Sequence, residues 1–382
     1  MSTFETPFGD FDLRRFPPTK NPTLRAWDAA DLYVLEWLAG ADGPARSGRW
    51  CVLNDGFGAL GVALHTLDPA SISDSALAHR ALRENLERNG IDVSSVRVEP
   101  CIGEPDPVDG VDESIDVLVV EVPKSGALLE DQLARLRPRL HAGSVVVGAG
   151  MTRHVHTSTI EAFERWVGPT RTSLARRKAR LIHATPNLEL EPGASPYPTR
   201  YRWSGIEVIE HAGVFSRGRV DAGTELLLKH LPDGRGIRAV ADPGCGSGLL
   251  GTAFARRCTD ASVHFTDASY RAVASARATF EGACPGRPAT FRAGDALEGV
   301  EERSLDLVLC NPPFHDGHVI GDETAFRMFV QARRVLRPGG ELRVVGNRHL
   351  EYHGKLKRVF GNARVVASNR KFVVLSAVRA DR

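Results

Sequence analysis

The stretch GIRAVADPGCGSG, residues 236–248, is a short apolar run that ends in an acid and three spaced glycines. An apolar run of this length reads as a buried strand, and glycines spaced in this way read as a tight turn. The helical pattern LLGTAFARRC (249–258) follows at once. Without a Cβ, glycine lets the backbone turn sharply and lie close to a ligand. A helix that begins there offers unpaired N–H groups and the positive end of its dipole. The spacing is not the G-x-G-x-x-G of dinucleotide sites. Asp242, ahead of the first glycine, suits a ligand with a free ammonium better than a pyrophosphate. The methionine end of S-adenosyl-L-methionine is such a ligand. Asp242, Gly244, Gly246 and Gly248 are therefore its candidate contacts.

Moving outward, strand and helix alternate through the C-terminal half. SVHFTDAS (262–269) is a strand, AVASARATFEGA (272–283) a helix and ATFRAGDAL (289–297) holds a strand. SLDLVLCNPPF (304–314) is a strand, ETAFRMFVQARRVLRPGG (323–340) a long helix and ELRVVGNRH (341–349) a strand. ARVVASNRKFVVLSAVR (363–379) reads as a closing antiparallel hairpin. Such alternation predicts an α/β fold with a parallel sheet and helices on both faces. Asp267 ends the second strand, where a carboxylate grips ribose hydroxyls, and Asp295 follows the third, placed to accept from an adenine amine. A lone acid at a strand end is more often a cap. Three in succession beside the glycine turn favour a cofactor site.

Asn311-Pro312-Pro313-Phe314 follows the fourth strand. An amine conjugated to a nucleic-acid base is a weak nucleophile, and acceptors that fix its two N–H groups align it for reaction. The Asn311 side-chain oxygen and the Pro312 carbonyl are such acceptors. Proline stiffens the loop, and Phe314 offers a face for a planar base. No metal is required.

The N-terminal half repeats the plan. RWCVLNDGFGALGVAL (49–64), ASISDSALAHRALRENLERNG (70–90), SIDVLVVEVPKS (114–125) and GALLEDQLARLRPRLHAGSVVVGAG (126–150) read as the same succession. Asn54-Asp55 to Glu121 nearly matches the spacing of Asp242 to Asn311, so the two halves read as a duplication. The first copy is degenerate. It keeps only Gly56 and Gly58, and Glu121-Val122-Pro123-Lys124 replaces the Asn-Pro-Pro-Phe motif. It is expected neither to bind cofactor nor to catalyse, with Asp55 and Asp74 structural. Between the copies, TPNLELEPGASPYPTRYRW (185–203) carries four prolines and reads as a linker. The expected domains are 1–185 and 204–382, with the linker over 186–203.

The 382 residues are 42% hydrophobic and 25% charged, a globular composition. The six cysteines show no C-x-x-C pair, which argues against a disulfide framework or zinc site. No apolar run is long enough to span a membrane, and residues 1–10 do not read as a secretory signal. A cytoplasmic monomer is expected. Residues 1–200 hold 22 basic and 27 acidic residues, a net of −5, and residues 201–382 hold 27 and 20, a net of +7. A basic domain suits a phosphate-rich partner. Arg176, Arg177 and Lys178 lie in a stretch, 171–180, with five basic residues and no acid. With Lys355, Lys357 and Arg358 they are candidate RNA-backbone contacts, and the alternative is a solvated helix face.

The glycine loop, the acids at 267 and 295 and the NPPF motif together resemble class I methyltransferases that act on amino groups. More specifically, RFPPTKNPTLRAWDAADLYVL (15–35), LNDGFGAL (53–60), VPKSGALLEDQL (122–133), HTSTIEAFERWVGPT (156–170), HAGVFSRGRVDAGTELLLKHLP (211–232), CNPPFHDGH (310–318), NRHLEYHGKLKRVFGN (347–362) and NRKFVVLSAVR (369–379) resemble the 23S ribosomal RNA guanine-N2 methyltransferase family, RlmG. The related 16S rRNA family, RsmC, matches the first half less well. The resemblance implies two tandem Rossmann-like methyltransferase domains with catalysis in the second. The implied reaction is methylation of a guanine N2 in 23S rRNA. It also implies that Phe215, Ser216 and Asp221 help enclose the cofactor. Pro243 stands where the family usually has Leu, Ser247 where it has Asn, and Ala268 where an acid often follows the ribose carboxylate. The competing readings are a 16S enzyme and a catalytically silent RNA-binding assembly protein.

Overall fold

A computed structural model describes residues 3–102, 114–215, 218–313 and 318–381. The chain forms two compact units, Met1–Tyr197 and Pro198–Arg382. The first opens with a small hairpin, β1 (Phe4–Thr6) and β2 (Gly9–Phe11). Then come α1 (Ala29–Leu38), β3 (Trp50–Leu53), α2 (Ala59–Ala63), β4 (Ala70–Ser73), α3 (Ala76–Arg88), β5 (Arg97–Pro100) and β6 (Ile115–Glu121). The unit ends with α4 (Gly126–Leu136), β7 (Leu140–Met151), α5 (Thr157–Trp166), β8 (Thr170–Thr172) and β9 (Ala179–Ala184). The second opens with a hairpin, β10 (Thr199–Trp203) and β11 (Ile206–Glu210). It continues as α6 (Ala222–Lys229), β12 (Ala239–Pro243), α7 (Leu249–Arg257), β13 (Ser262–Asp267), α8 (Tyr270–Ala283), β14 (Ala289–Ala293) and β15 (Leu305–Cys310). It closes with α9 (His318–Val335), β16 (Leu336–Asn347), α10 (Tyr352–Phe360), β17 (Arg364–Ser368) and β18 (Phe372–Val378).

Each unit holds a seven-stranded sheet, in the orders β5-β4-β3-β6-β7-β9-β8 and β14-β13-β12-β15-β16-β18-β17. The two orders are the same plan. In each, the strands pair in parallel except where β9 and β18 enter antiparallel. Central strands such as Val117–Val120 and Leu307–Cys310 are apolar throughout because helices cover both faces. In the second unit α6 and α7 pack one face through Leu227, Leu228, Leu250 and Phe254. On the other face α9 and α10 pack through Phe329, Ala332 and Leu356. The strand order reverses between β12 and β15. In doubly wound sheets the ligand crevice lies at the carboxyl ends of the strands at that point. The glycine loop leaves β12 there, and Asn311 leaves β15.

The reading of 186–203 as linker needs one correction. Residues 199–203 form β10, paired with β11 in full register from Thr199↔Glu210 to Trp203↔Ile206. Thr-Arg-Tyr-Arg-Trp alternates half-buried and exposed residues, so its β-branched and aromatic side chains pack on one face. The 171–180 stretch is not a helix face either. It joins β8 to β9 as a hairpin whose tip closes through the Arg176↔Ala179 bridge. Arg177 and Lys178 take left-handed backbone angles there, φ 50° and 63°.

Candidate active site

Asp242 is buried at the end of β12. Its Oδ2 accepts the Gly251 N–H at 2.9 Å, tying the strand to the first turn of α7. Its Oδ1 is buried with no partner among the described residues. Burial pushes the carboxyl up to about 7, and the nearby Asp267 charge adds to the shift. The loop glycines divide the work. All three have positive φ. A Cβ on Gly248 would lie 2.7 Å from the Ala276 Cα, so this glycine lets α8 approach the loop. Among the described residues, a Cβ on Gly246 would meet nothing within 4 Å, and one on Gly244 only the Met328 methyl at 3.5 Å. Among the described residues, the loop therefore has open space at Gly244 and Gly246. Asp267, at the end of β13, accepts the Gly246 N–H at 3.0 Å and the Ser269 N–H at 3.0 Å. An orphaned buried carboxylate oxygen beside open glycine backbone fits the ammonium end of S-adenosyl-L-methionine.

Asp295 lies two residues beyond β14. Its carboxylate is held by Arg327 Nε at 3.0 Å, so the acceptor expected for an adenine amine is already ion-paired. Asp221, implied by resemblance to enclose the cofactor, caps α6. Its Oδ2 accepts the N–H groups of Gly223 at 2.9 Å and Thr224 at 3.1 Å. Phe215, between β11 and α6, is about half-exposed. Ser216 and Phe314 lie outside the described residues.

Asn311 is the best-defined acceptor. Its Nδ2 donates to Thr224 Oγ1 at 2.9 Å and lies 3.5 Å from Asp221 Oδ2. A carboxylate only accepts, so these partners fix which end of the amide is nitrogen. The Oδ1 is consequently turned away from α6, buried and without a partner among the described residues. An unmet buried acceptor costs about 1–3 kcal/mol, which a ligand N–H would recover. Pro312 is buried and holds the loop down, while Pro313 is exposed. Sequence reasoning missed Thr224. It lies 87 residues from Asn311, and only its place three residues after a helix-capping Asp marked it.

The first unit shows what happens when this site is lost. The strand registers place Val52 where Asp242 stands, Ser73 where Asp267 stands and Glu121 where Asn311 stands. Asp55 thus corresponds to Cys245, not to Asp242 as its place in the sequence suggests. Asp55 still reaches the helix, accepting the Gly58 N–H at 2.8 Å and the Gly61 N–H at 2.7 Å. Glu121 Oε2 accepts the Gly56 N–H at 2.8 Å. Burial holds Glu121 well above the usual carboxylate range, with Asp31 and Asp55 adding to the shift. In the second unit the matching Gly246 N–H is taken by Asp267, so Glu121 makes from the Asn311 position the bond that Asp267 makes in the other copy.

The basic candidates separate by their surroundings. Arg176 is held by Glu36 at 2.5 Å, and Arg177 and Lys178 are exposed. Lys357 and Arg358 are exposed on α10, Arg358 stacking over Phe326 at 4.2 Å. Lys355 is a correction. It is bound by Asp322 and by the Leu350 carbonyl at 2.9 Å, which makes it a structural cation. Among the described residues no His, Cys, Asp or Glu group suits a metal, and no helix is long and apolar enough to cross a membrane.

Residues 1–188 match the RLMG N-terminal domain and residues 205–376 the methyltransferase small domain. A Streptomyces avermitilis protein named ribosomal RNA large subunit methyltransferase G is 53% identical over 98% of each chain. Its Pseudomonas aeruginosa namesake is 47% identical over 99% of this chain and 100% of its own. A T. thermophilus 16S rRNA N2 methyltransferase, RsmC, solved with AdoMet and guanosine, superposes with a TM-score of 0.75. It is 23% identical and covers 99% of this chain and 97% of its own. This likeness carries the tandem fold.

Proposed function

The chain belongs to the ribosomal RNA large subunit methyltransferase G family, and we propose that it methylates the exocyclic N2 amine of a guanine in 23S ribosomal RNA, using S-adenosyl-L-methionine. The observation that carries the reading is Asn311, whose side-chain oxygen is buried, unpartnered among the described residues and held in orientation by Thr224 and Asp221. When bound, S-adenosyl-L-methionine supplies a methyl group already activated by its sulfonium leaving group. The chain's part is alignment. Asp242 Oδ1 and the open backbone at Gly244 and Gly246 would receive the methionine end, Asp267 the ribose, and Asp295, whose carboxylate keeps lone pairs beyond its ion pair with Arg327, the adenine. Phe215, Ser216 and Asp221 enclose the cofactor. Asn311 Oδ1 accepts from one amine N–H and the Pro312 carbonyl from the other, which fixes the nitrogen and its lone pair. Phe314 stacks on the flipped base, and Pro313 stiffens the loop. As the new N–C bond forms, the surplus proton of the amine would pass to solvent water.

The RNA contacts follow from exposure and charge. Arg177 and Lys178 on the hairpin tip of the first unit, with Arg176 beside them, take phosphates. Lys357 and Arg358 do so on α10 of the second. The first unit positions RNA and the second catalyses. The protein acts as a monomer in the cytoplasm.

Asn311→Ala is expected to keep cofactor affinity and to lose at least about 100-fold in kcat, the scale of a key positioning hydrogen bond. Thr224→Val, which frees the amide to turn, is expected to lose part of the same factor, and Thr224→Ser to recover it. Normal turnover by Asn311→Ala would contradict the mechanism.

A further inference from the structure

A second amide resembles Asn311. Asn347 ends β16, the strand parallel to β15. It is 7% exposed, and its Oδ1 is buried without a partner among the described residues. It stands at the N-cap position of a short turn yet makes no capping bond. Residues along β16 alternate between faces. Val345 joins the cluster that α6 covers, and Gly346 packs against Tyr352 on the other side. Asn347 is thereby returned to the α6 face, across from Phe372. Phe372 in turn touches the first turn of α6, where a Cβ on Gly223 would lie 3.3 Å from its ring. Asn311 is bound to that same turn through Thr224. Two buried, unmet amide oxygens thus stand at the ends of adjacent strands, both flanking the start of α6.

The first unit supplies an internal comparison. There β7 and β16 run in the same register against β6 and β15, and the residue at the place of Asn347 is Met151. In the copy that has Glu121 in place of Asn311, the matching position is apolar. The fold does not need an amide there.

Resting on the guanine reading above, we propose that Asn347 is a specificity residue that accepts the N1–H of the target guanine while Asn311 accepts from the neighbouring N2 amine. Guanine places these two donors side by side on its Watson–Crick edge. Adenine offers an amine next to a bare ring nitrogen, which would set a lone pair against the Asn347 oxygen. A site that hydrogen-bonds an N–H rejects strongly the analogue that lacks it.

The test uses a short RNA spanning the target guanine once that base is mapped, made with either guanine or 2-aminopurine there. 2-Aminopurine keeps the exocyclic N2 amine and lacks N1–H. Wild-type protein is expected to prefer guanine in kcat/KM by about 10- to 100-fold, the scale of one hydrogen bond to a buried group. Asn347→Met should lose that factor on guanine and little on 2-aminopurine, bringing the ratio towards about 1. Its calorimetric affinity for S-adenosyl-L-methionine should be unchanged, which also reports an intact fold. Asn347→Asp, which keeps an acceptor oxygen, should retain the preference. A preserved ratio in Asn347→Met, or equal losses on both RNAs, would overturn the assignment. If wild-type protein methylated neither base, the guanine-N2 reading itself would fall.

Discussion

At the scale of single residues, the site works by leaving polar atoms unmet where a ligand is to come. Asp242 is the clearest electrostatic case. Its carboxyl is held up to about 7 by burial, so near neutrality it is about half protonated. An ammonium at Oδ1 favours the ionised form and lowers that value. Cofactor binding should therefore release a proton, about half of one near pH 7, and affinity should rise from pH 6 to pH 8. Calorimetry in buffers of different ionisation enthalpy measures the release, and Asp242→Asn should abolish both the release and the pH slope. Proton-neutral binding by the wild-type protein would contradict this placement. The sign is opposite for folding. An acid raised above its unfolded value is a cost that grows as pH rises towards that raised value. Much of this was legible in the sequence, because an acid before spaced glycines and an Asn before two prolines each carry a chemical requirement. Thr224 and the Asp295–Arg327 pair were not, since partners 87 and 32 residues apart meet only in the fold.

At the scale of elements, long strands and helices followed from periodicity, and short polar ones did not. β8 and β10 have three and five residues and are half-exposed, so the sequence offered a solvated helix face for the basic stretch that begins in the first and a linker for the second. The basic 171–180 stretch changes meaning with that result. A hairpin tip with left-handed Arg177 and Lys178 projects charge from a fixed point, whereas a helix face would have spread it. Arg177→Glu with Lys178→Glu is expected to weaken RNA binding and to reduce the slope of log affinity against log salt by about 2, near one unit for each phosphate no longer neutralised. Filter binding across a salt series reads this directly, and an unaltered slope would remove the hairpin from the RNA contacts. Lys355 shows the limit of charge counting. Its charge beside Lys357 and Arg358 suggested RNA, but Asp322 and a carbonyl already hold it.

At the scale of the whole molecule, one doubly wound plan occurs twice, and the two copies explain each other. Where the second has Asp242, Asp267, Asn311 and Asn347, the first has Val52, Ser73, Glu121 and Met151. The duplication was visible in the sequence, but its register was not. Asp55 imitates Asp242 because both reach the same helix amide, from Gly61 and Gly251 respectively, starting three positions apart. A second copy that transfers a methyl group to a guanine N2 must leave a mark on large-subunit RNA. Mass mapping of nucleosides, after ribosomal RNA is treated with the protein and S-adenosyl-L-methionine, looks for that mark. N2-methylguanosine at one site in 23S RNA is the expected result. No new methyl group on either naked RNA or ribosomal subunits would contradict it, and a methyl group found only in 16S RNA would reassign the substrate.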